Sequence, residues 1–85
     1  MKSFTYTIRD KTGIHARPAG VISKIAKNFK SEIFIEKDSS SVNASKLMML
    51  MGMGIKCGDS IRVMAEGEDE DEAIKELRKF FEENL

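Results

Sequence analysis

The chain is poor in the residues on which many specialised chemistries depend. Its 85 residues include one cysteine, one histidine, one proline, one tyrosine and no tryptophan. With Cys57 alone, no intramolecular disulfide can form, and a reducing cytoplasm is the expected setting. Cys57 lies in the turn Lys56-Cys57-Gly58-Asp59 and reads as a structural or incidental thiol. The lone histidine, His15, cannot belong to a histidine cluster, so no metal site is expected, nor any cofactor. Net charge is also missing: 14 basic residues balance 14 acidic ones. No overall field draws such a chain to nucleic acid or to a membrane surface. No apolar run approaches the roughly 20 residues of a membrane span. Met1-Lys2-Ser3-Phe4-Thr5 runs straight into a strand pattern, so no signal peptide is expected. Repeats, linkers and low-complexity tracts are absent, and the length suits one domain over 1–85 with a single two-layer core.

What is present is a clear alternation of periods. Phe4, Tyr6 and Ile8 alternate with Thr5, Thr7 and Arg9, as in a half-buried strand. Asp10 to Gly13 is a loop. A helix is predicted to about Phe29, with Ala19, Ile22, Ile25, Ala26 and Phe29 on its buried face and Ser23, Lys24, Lys27 and Asn28 on the other. Residues 32–37 form a second strand, Asp38-Ser39-Ser40 a turn and residues 41–43 a short third strand. A short helix starts at Ala44 or Ser45 and runs to Met51, with Leu50 and Met53 directed into the core. Ile61, Val63 and Ala65 mark a fourth strand over 60–65. Residues 69–84 form the last helix, with Ala73, Ile74, Leu77, Phe80 and Phe81 as its apolar stripe. Asp69, Glu70, Asp71 and Glu72 complement its positive end. The order β-α-β-β-α-β-α fits an α+β fold in which helices cover one face of an antiparallel sheet.

The chemistry points to Gly13-Ile14-His15-Ala16-Arg17-Pro18-Ala19. This segment sets the only imidazole where a helix begins, two residues before an arginine. The first N–H groups of a helix lack intrahelical partners and the helix dipole is positive there, so an anion is favoured. The same field disfavours imidazolium and leaves a neutral, nucleophilic ring nitrogen. Arg17 adds a guanidinium suited to phosphate oxygens. Pro18 sits in the first turn, where a missing N–H costs nothing, and Gly13 permits a tight turn before His15. On the local residues alone, a phosphoryl-accepting histidine and an ordinary helix-capping histidine stand about equal.

Beyond that segment, Val42-Asn43-Ala44-Ser45-Lys46-Leu47-Met48, Leu50-Met51-Gly52-Met53-Gly54-Ile55 and Ala65-Glu66-Gly67-Glu68-Asp69-Glu70 join it in one pattern. Together they resemble HPr, the histidine-phosphorylated carrier family of the bacterial phosphotransferase system, over essentially the whole chain. The resemblance implies an open-faced sandwich, a four-stranded antiparallel sheet covered on one face by three helices. It implies that His15 accepts a phosphoryl group from Enzyme I and passes it to sugar-specific IIA domains, with Arg17 stabilising the group. The chain would then be a cytoplasmic carrier, a monomer, and no stand-alone enzyme. No paired carboxylates or second base can be tied to His15 from the sequence.

Leu47, Met48, Met49, Leu50, Met51 and Met53 are more apolar surface than a short helix can turn inward. Leu47, Met48 and Met51 are expected to form a docking patch, since methionine adapts to several partners. Lys24 and Lys27 would flank it and guide acidic partners. One position departs from the family pattern. Many HPr proteins carry a regulatory serine at the start of the short helix; here that position is Lys46, with Ser45 just before it. A lysine brings the opposite charge to phosphoserine, and a one-residue shift turns a helical side chain by about 100 degrees. Ser45 is therefore a weak candidate for that role, and recognition by HPr kinase/phosphorylase is doubtful. The alternative reading is a regulatory paralogue, for example a nitrogen-related one, whose phosphorylation is a signal. A nucleic-acid module is disfavoured, because the phenylalanines are better used as core and no basic patch is interleaved with aromatics.

Overall fold

The computed structural model describes residues 1–85. Its elements are β1 (Lys2–Thr7), α1 (Ala16–Lys27), β2 (Glu32–Lys37), β3 (Ser40–Asn43), α2 (Leu47–Gly52), β4 (Ser60–Glu66) and α3 (Glu70–Asn84). The strands form one antiparallel sheet in the order β1-β4-β2-β3. Register converts the period-2 pattern into two faces. Phe4 lies opposite Val63, Val63 opposite Ile35 and Ile35 opposite Val42, an apolar row across all four strands. Shifted by one residue, Thr5, Arg62, Glu36 and Ser41 make a polar row on the open face. The three helices bury the apolar face, giving the expected α+β open-faced sandwich.

Helix α3 contributes Ala73, Ile74, Leu77 and Phe81 to the core. Phe81 is fully buried and meets Phe4, Tyr6 and Phe80 edge-on, with ring centroids 5.8, 5.6 and 6.3 Å away. The carboxylate of Asp69, just before α3, ties this helix to the loop between α1 and β2. It accepts hydrogen bonds from the Lys30 amide (2.8 Å), the Ser31 amide (2.9 Å) and the Ser31 hydroxyl (2.5 Å). The Ser31 hydroxyl above all, then the Lys30 amide, hold its carboxyl below the usual carboxylate range.

Several expectations are corrected. Ser23 does not face solvent. It is buried, and its hydroxyl donates to the Ala44 carbonyl at 2.8 Å, because the β3–α2 connection crosses α1 there and its carbonyl needs a donor. Helix α1 ends at Lys27, two residues early: Asn28 caps it, and Ile25 and Phe29 are only half-buried. Ser40 belongs to β3, opposite Lys37, so the hairpin turn is Asp38-Ser39, with Asp38 at φ 56°. Helix α2 begins at Leu47 rather than at Ala44 or Ser45. The Ala44 amide bonds the Ile33 carbonyl (2.8 Å), and Asn43 Oδ1 accepts from both the amide (2.9 Å) and the hydroxyl (2.7 Å) of Ser45. These local bonds hold the segment out of a helix until Lys46, which occupies the N-cap. Leu50 is buried as expected, whereas Met53 and Phe80 are only half-buried.

Candidate functional site

The site begins with a forced turn. Gly13 adopts φ +66°, and a Cβ on it would lie 2.7 Å from Lys56 Cα. Only glycine combines that dihedral with so close an approach. The next residue, Ile14, is buried and its amide bonds the Ile55 carbonyl at 3.1 Å. With Ile14 locked inward, His15 in extended conformation (φ −99°, ψ −170°) projects outward as the N-cap of α1. Its carbonyl accepts the first helical bond, from the Ala19 amide at 2.9 Å, but its side chain makes no capping bond. The imidazole is thus exposed and uncommitted.

The first turn of α1 contains no acidic residue, and Ala16 and Arg17 supply its orphan amides. Arg17 is exposed, and no ion pair or side-chain hydrogen bond within the chain engages it. His15 and Arg17 share a shallow depression of about 170 Å³ whose other walls are Asp10, Pro18, Val21, Phe80 and Asn84. The far wall belongs to the end of α3. That end is fastened to the β1–α1 loop by the Arg9 and Asp10 amides on the Leu85 carbonyl (2.6 and 2.9 Å) and by Arg9 Nη2 on the Glu82 carbonyl (3.0 Å). An exposed imidazole, a free guanidinium and unpaired amides can together receive an anionic group without enclosing it.

Sequence reasoning brought His15 and Arg17 together but missed Asp10, Val21, Phe80 and Asn84. The spacing Asp10-x-Thr12 was the available signal for Asp10: its Oδ1 accepts from the Thr12 amide (2.8 Å) and hydroxyl (2.6 Å), an Asx turn. Phe80 and Asn84 arrive through tertiary packing and carried no local signal.

On α2, Leu47, Met48 and Met51 are exposed, and so is Met49, which the sequence did not single out; Met48 and Met49 are 78% and 57% exposed. Lys27 joins this surface in an open groove lined by Ser45, Lys46, Leu47, Met48 and Met49; Lys24 is exposed on α1 but outside that groove. Ser45 is half-buried with its hydroxyl on Asn43, outside the helix. The zero net charge also conceals a division. Segments 11–31 and 39–58 contain no acidic residue but carry Lys11, Arg17, Lys24, Lys27, Lys30, Lys46 and Lys56. The surface of α1 and α2 is accordingly positive, while most carboxylates lie on β4, α3 and the turn between them.

With this geometry in place, comparison with known proteins is specific. The family model described as "PTS HPr component phosphorylation site" matches residues 2–83. The phosphocarrier protein HPr of Mycoplasma capricolum is 40% identical over 79 residues, 93% of this chain and 89% of that protein. The HPr-like protein Crh of Bacillus subtilis is 40% identical over 78 residues, 92% of each chain. A crystal structure of Crh, described as a swapped dimer, matches with a TM-score of 0.78. The structure of HPr from Thermoanaerobacter tengcongensis matches with a TM-score of 0.91 and 45% identity, covering 96% of this chain and 92% of that one. The fold and sequence therefore define a small phosphocarrier-type protein. The chain belongs to the HPr family of the phosphotransferase system.

Proposed function

We propose that this chain carries a phosphoryl group on His15, accepting it from phospho-Enzyme I and handing it to sugar-specific IIA domains. The observation that carries the proposal is the exposed, uncommitted imidazole beside the unpaired Arg17 guanidinium at a helix N-terminus free of acidic residues. The ring nitrogen nearest the backbone attacks phosphorus as the donor's P–N bond breaks. The group then rests where the Ala16 and Arg17 amides and the guanidinium offset its charge. A shallow, open depression suits transfer in both directions, because a deep, dry site would hold the group too tightly to release it.

In this reading Leu47, Met48, Met49 and Met51 meet the partner domains, with Lys24 and Lys27 drawing their acidic surfaces. The carrier works in the cytoplasm as a monomer and has no catalytic turnover of its own. Serine regulation by a kinase/phosphorylase is disfavoured, because Lys46 occupies the N-cap of α2 and the Ser45 hydroxyl is engaged by Asn43. The similarity to Crh supports a second reading, an HPr-like regulator whose phosphorylation state is the signal. The test is intact-mass spectrometry after incubation with phosphoenolpyruvate and Enzyme I, with His15→Ala alongside. One acid-labile phosphoryl group on the wild type and none on the variant supports the carrier. An unmodified wild type, with a known carrier phosphorylated in parallel, overturns it.

A further inference from the structure

Asp10 is the one acid that reaches the His15 depression, and its turn does not account for its charge. Only Oδ1 takes part in the Asx turn, accepting from the Thr12 amide at 2.8 Å and hydroxyl at 2.6 Å. Oδ2 has no hydrogen-bond or ion-pair partner within the chain. Asparagine would offer the same Oδ1 to the same donors, so the turn explains the oxygen and leaves the negative charge without a purpose. The backbone of Asp10 is fixed at both ends as well: its amide donates to the Leu85 carbonyl at 2.9 Å, and its carbonyl accepts from the Gly13 amide at 3.0 Å. Of the side chains that line the depression, only Asp10, His15 and Arg17 can carry charge. The Thr12 hydroxyl first, then the Thr12 amide, hold the Asp10 carboxyl below the usual range; burial opposes them, and the charge of His15 adds the smallest contribution. It is therefore ionised at neutral pH. The result is a rigid anion placed where an anionic group is to arrive.

We propose that Asp10 is an electrostatic positioning residue of this site, whose carboxylate opposes the charge on a phosphoryl group at His15 and so keeps that group easily transferred. The proposal rests on the carrier reading above. During transfer the donor's P–N bond breaks as the His15–P bond forms. The ring nitrogen of His15 supplies the electron pair, the donor nitrogen regains its own, and no electron is gained or lost. Arg17 and the helix amides draw the group in, and Asp10 sets an upper limit on how firmly it stays. Repulsion between a unit charge and a dianion across a few ångströms of mostly aqueous dielectric changes affinity by roughly three- to tenfold.

The test compares wild type with Asp10→Asn, which keeps the turn, and with Asp71→Asn, which removes the same charge from an exposed site on α3. The first donor is phosphoramidate, whose P–N bond breaks with loss of ammonia and which needs no protein partner. The second is phospho-Enzyme I, used catalytically to equilibrate each variant with ¹⁵N-labelled wild type. Asp10→Asn is expected to gain the phosphoryl group roughly three- to tenfold faster from phosphoramidate and to hold a similar excess at equilibrium, while Asp71→Asn matches wild type. At about 1 M salt the difference should shrink towards unity, because charges in an open site are screened over about 3 Å. Equal behaviour of Asp10→Asn and wild type, or a difference indifferent to salt, overturns the proposal. Failure of the carrier reading looks different: wild type would react with phosphoramidate and not with Enzyme I, and the phosphoramidate rates would still decide the role of Asp10.

Discussion

Three glycines allow the construction of the His15 turn to be tested by adding one methyl group at a time. Gly20 lies within α1 at ordinary helical φ, and a Cβ there meets nothing within 4 Å. Gly20→Ala should stabilise the protein by about 0.5–1 kcal/mol, because alanine loses less backbone freedom on folding. Gly54 has φ +65° with open space around its Cβ. Gly54→Ala should cost about 1–2 kcal/mol, the penalty for a left-handed L-residue. Gly13 has nearly the same dihedral, +66°, but its Cβ would be driven into the Ile55 carbonyl and to 2.7 Å from Lys56 Cα. Backbone cannot rotate aside as a side chain can, so relief means opening the Ile14–Ile55 hydrogen bond and lifting the loop. Adding about 1–3 kcal/mol for that buried bond gives a total of about 2–5 kcal/mol for Gly13→Ala. With an unfolding entropy of about 2.1 cal/mol/K per residue, each kcal/mol moves Tm by roughly 5–6 °C in a chain of this size. Calorimetry should then show Gly20→Ala melting about 3–6 °C higher, Gly54→Ala about 5–11 °C lower and Gly13→Ala about 11–28 °C lower. If Gly13→Ala melts with Gly54→Ala, the close approach to residues 55–56 does not hold the turn, and the account of how His15 is projected is wrong.

Other perturbations reach other joints of the fold. Ser23→Ala strands the Ala44 carbonyl against α1 without its donor and should cost about 1–3 kcal/mol in urea unfolding, with the m-value unchanged. Lys46→Ser places a capping hydroxyl at the start of α2, where no side chain now bonds the first-turn amides, and should raise the urea midpoint by the equivalent of about 0.5–1 kcal/mol. Asp69 titrates below its unfolded value, so its stabilisation is complete above the unfolded carboxylate range and is lost as pH falls through the lower folded value. Asp69→Asn should therefore lower Tm at neutral pH while making the fall in Tm below about pH 4 shallower than in wild type. Equal acid slopes in the two proteins would show that its hydrogen bonds to Lys30 and Ser31 do not persist in solution.

Much of this fold could be read from local pattern, and the exceptions share a cause. Strand alternation placed Phe4 and Val63 on the buried face because a period of 2 leaves little choice of face once one side is buried. The stripe Ala73, Ile74, Leu77 and Phe81 identified α3 for the same reason at a period near 3.6. Ser23 was misplaced because a hydroxyl at an α1–α2 junction looks, in sequence, like one facing water; the carbonyl that takes its hydrogen bond is 21 residues downstream. The start of α2 was misplaced because Asn43 competes for the Ser45 amide, a local bond that propensity alone does not rank. At the site, the imidazole and guanidinium are neighbours in sequence and were legible. Asp10, Phe80 and Asn84 converge on them through the hydrogen bonds that anchor the end of α3, which no local window contains.

The place of β4 has a consequence for the order in which the molecule can be made. The strand lies between β1 and β2, so those two never pair with each other, and each gains its inner hydrogen-bonded neighbour only from residues 60–66. A ribosome delivers that neighbour late. Until Glu66 has emerged, the growing chain can form the β2–β3 hairpin and the first two helices, but β1 waits without a partner. Sheet assembly is then governed by long-range closure rather than by local turns, which is the slow regime of folding. A helical cover can be laid over the sheet only once the strand at its centre has been synthesised.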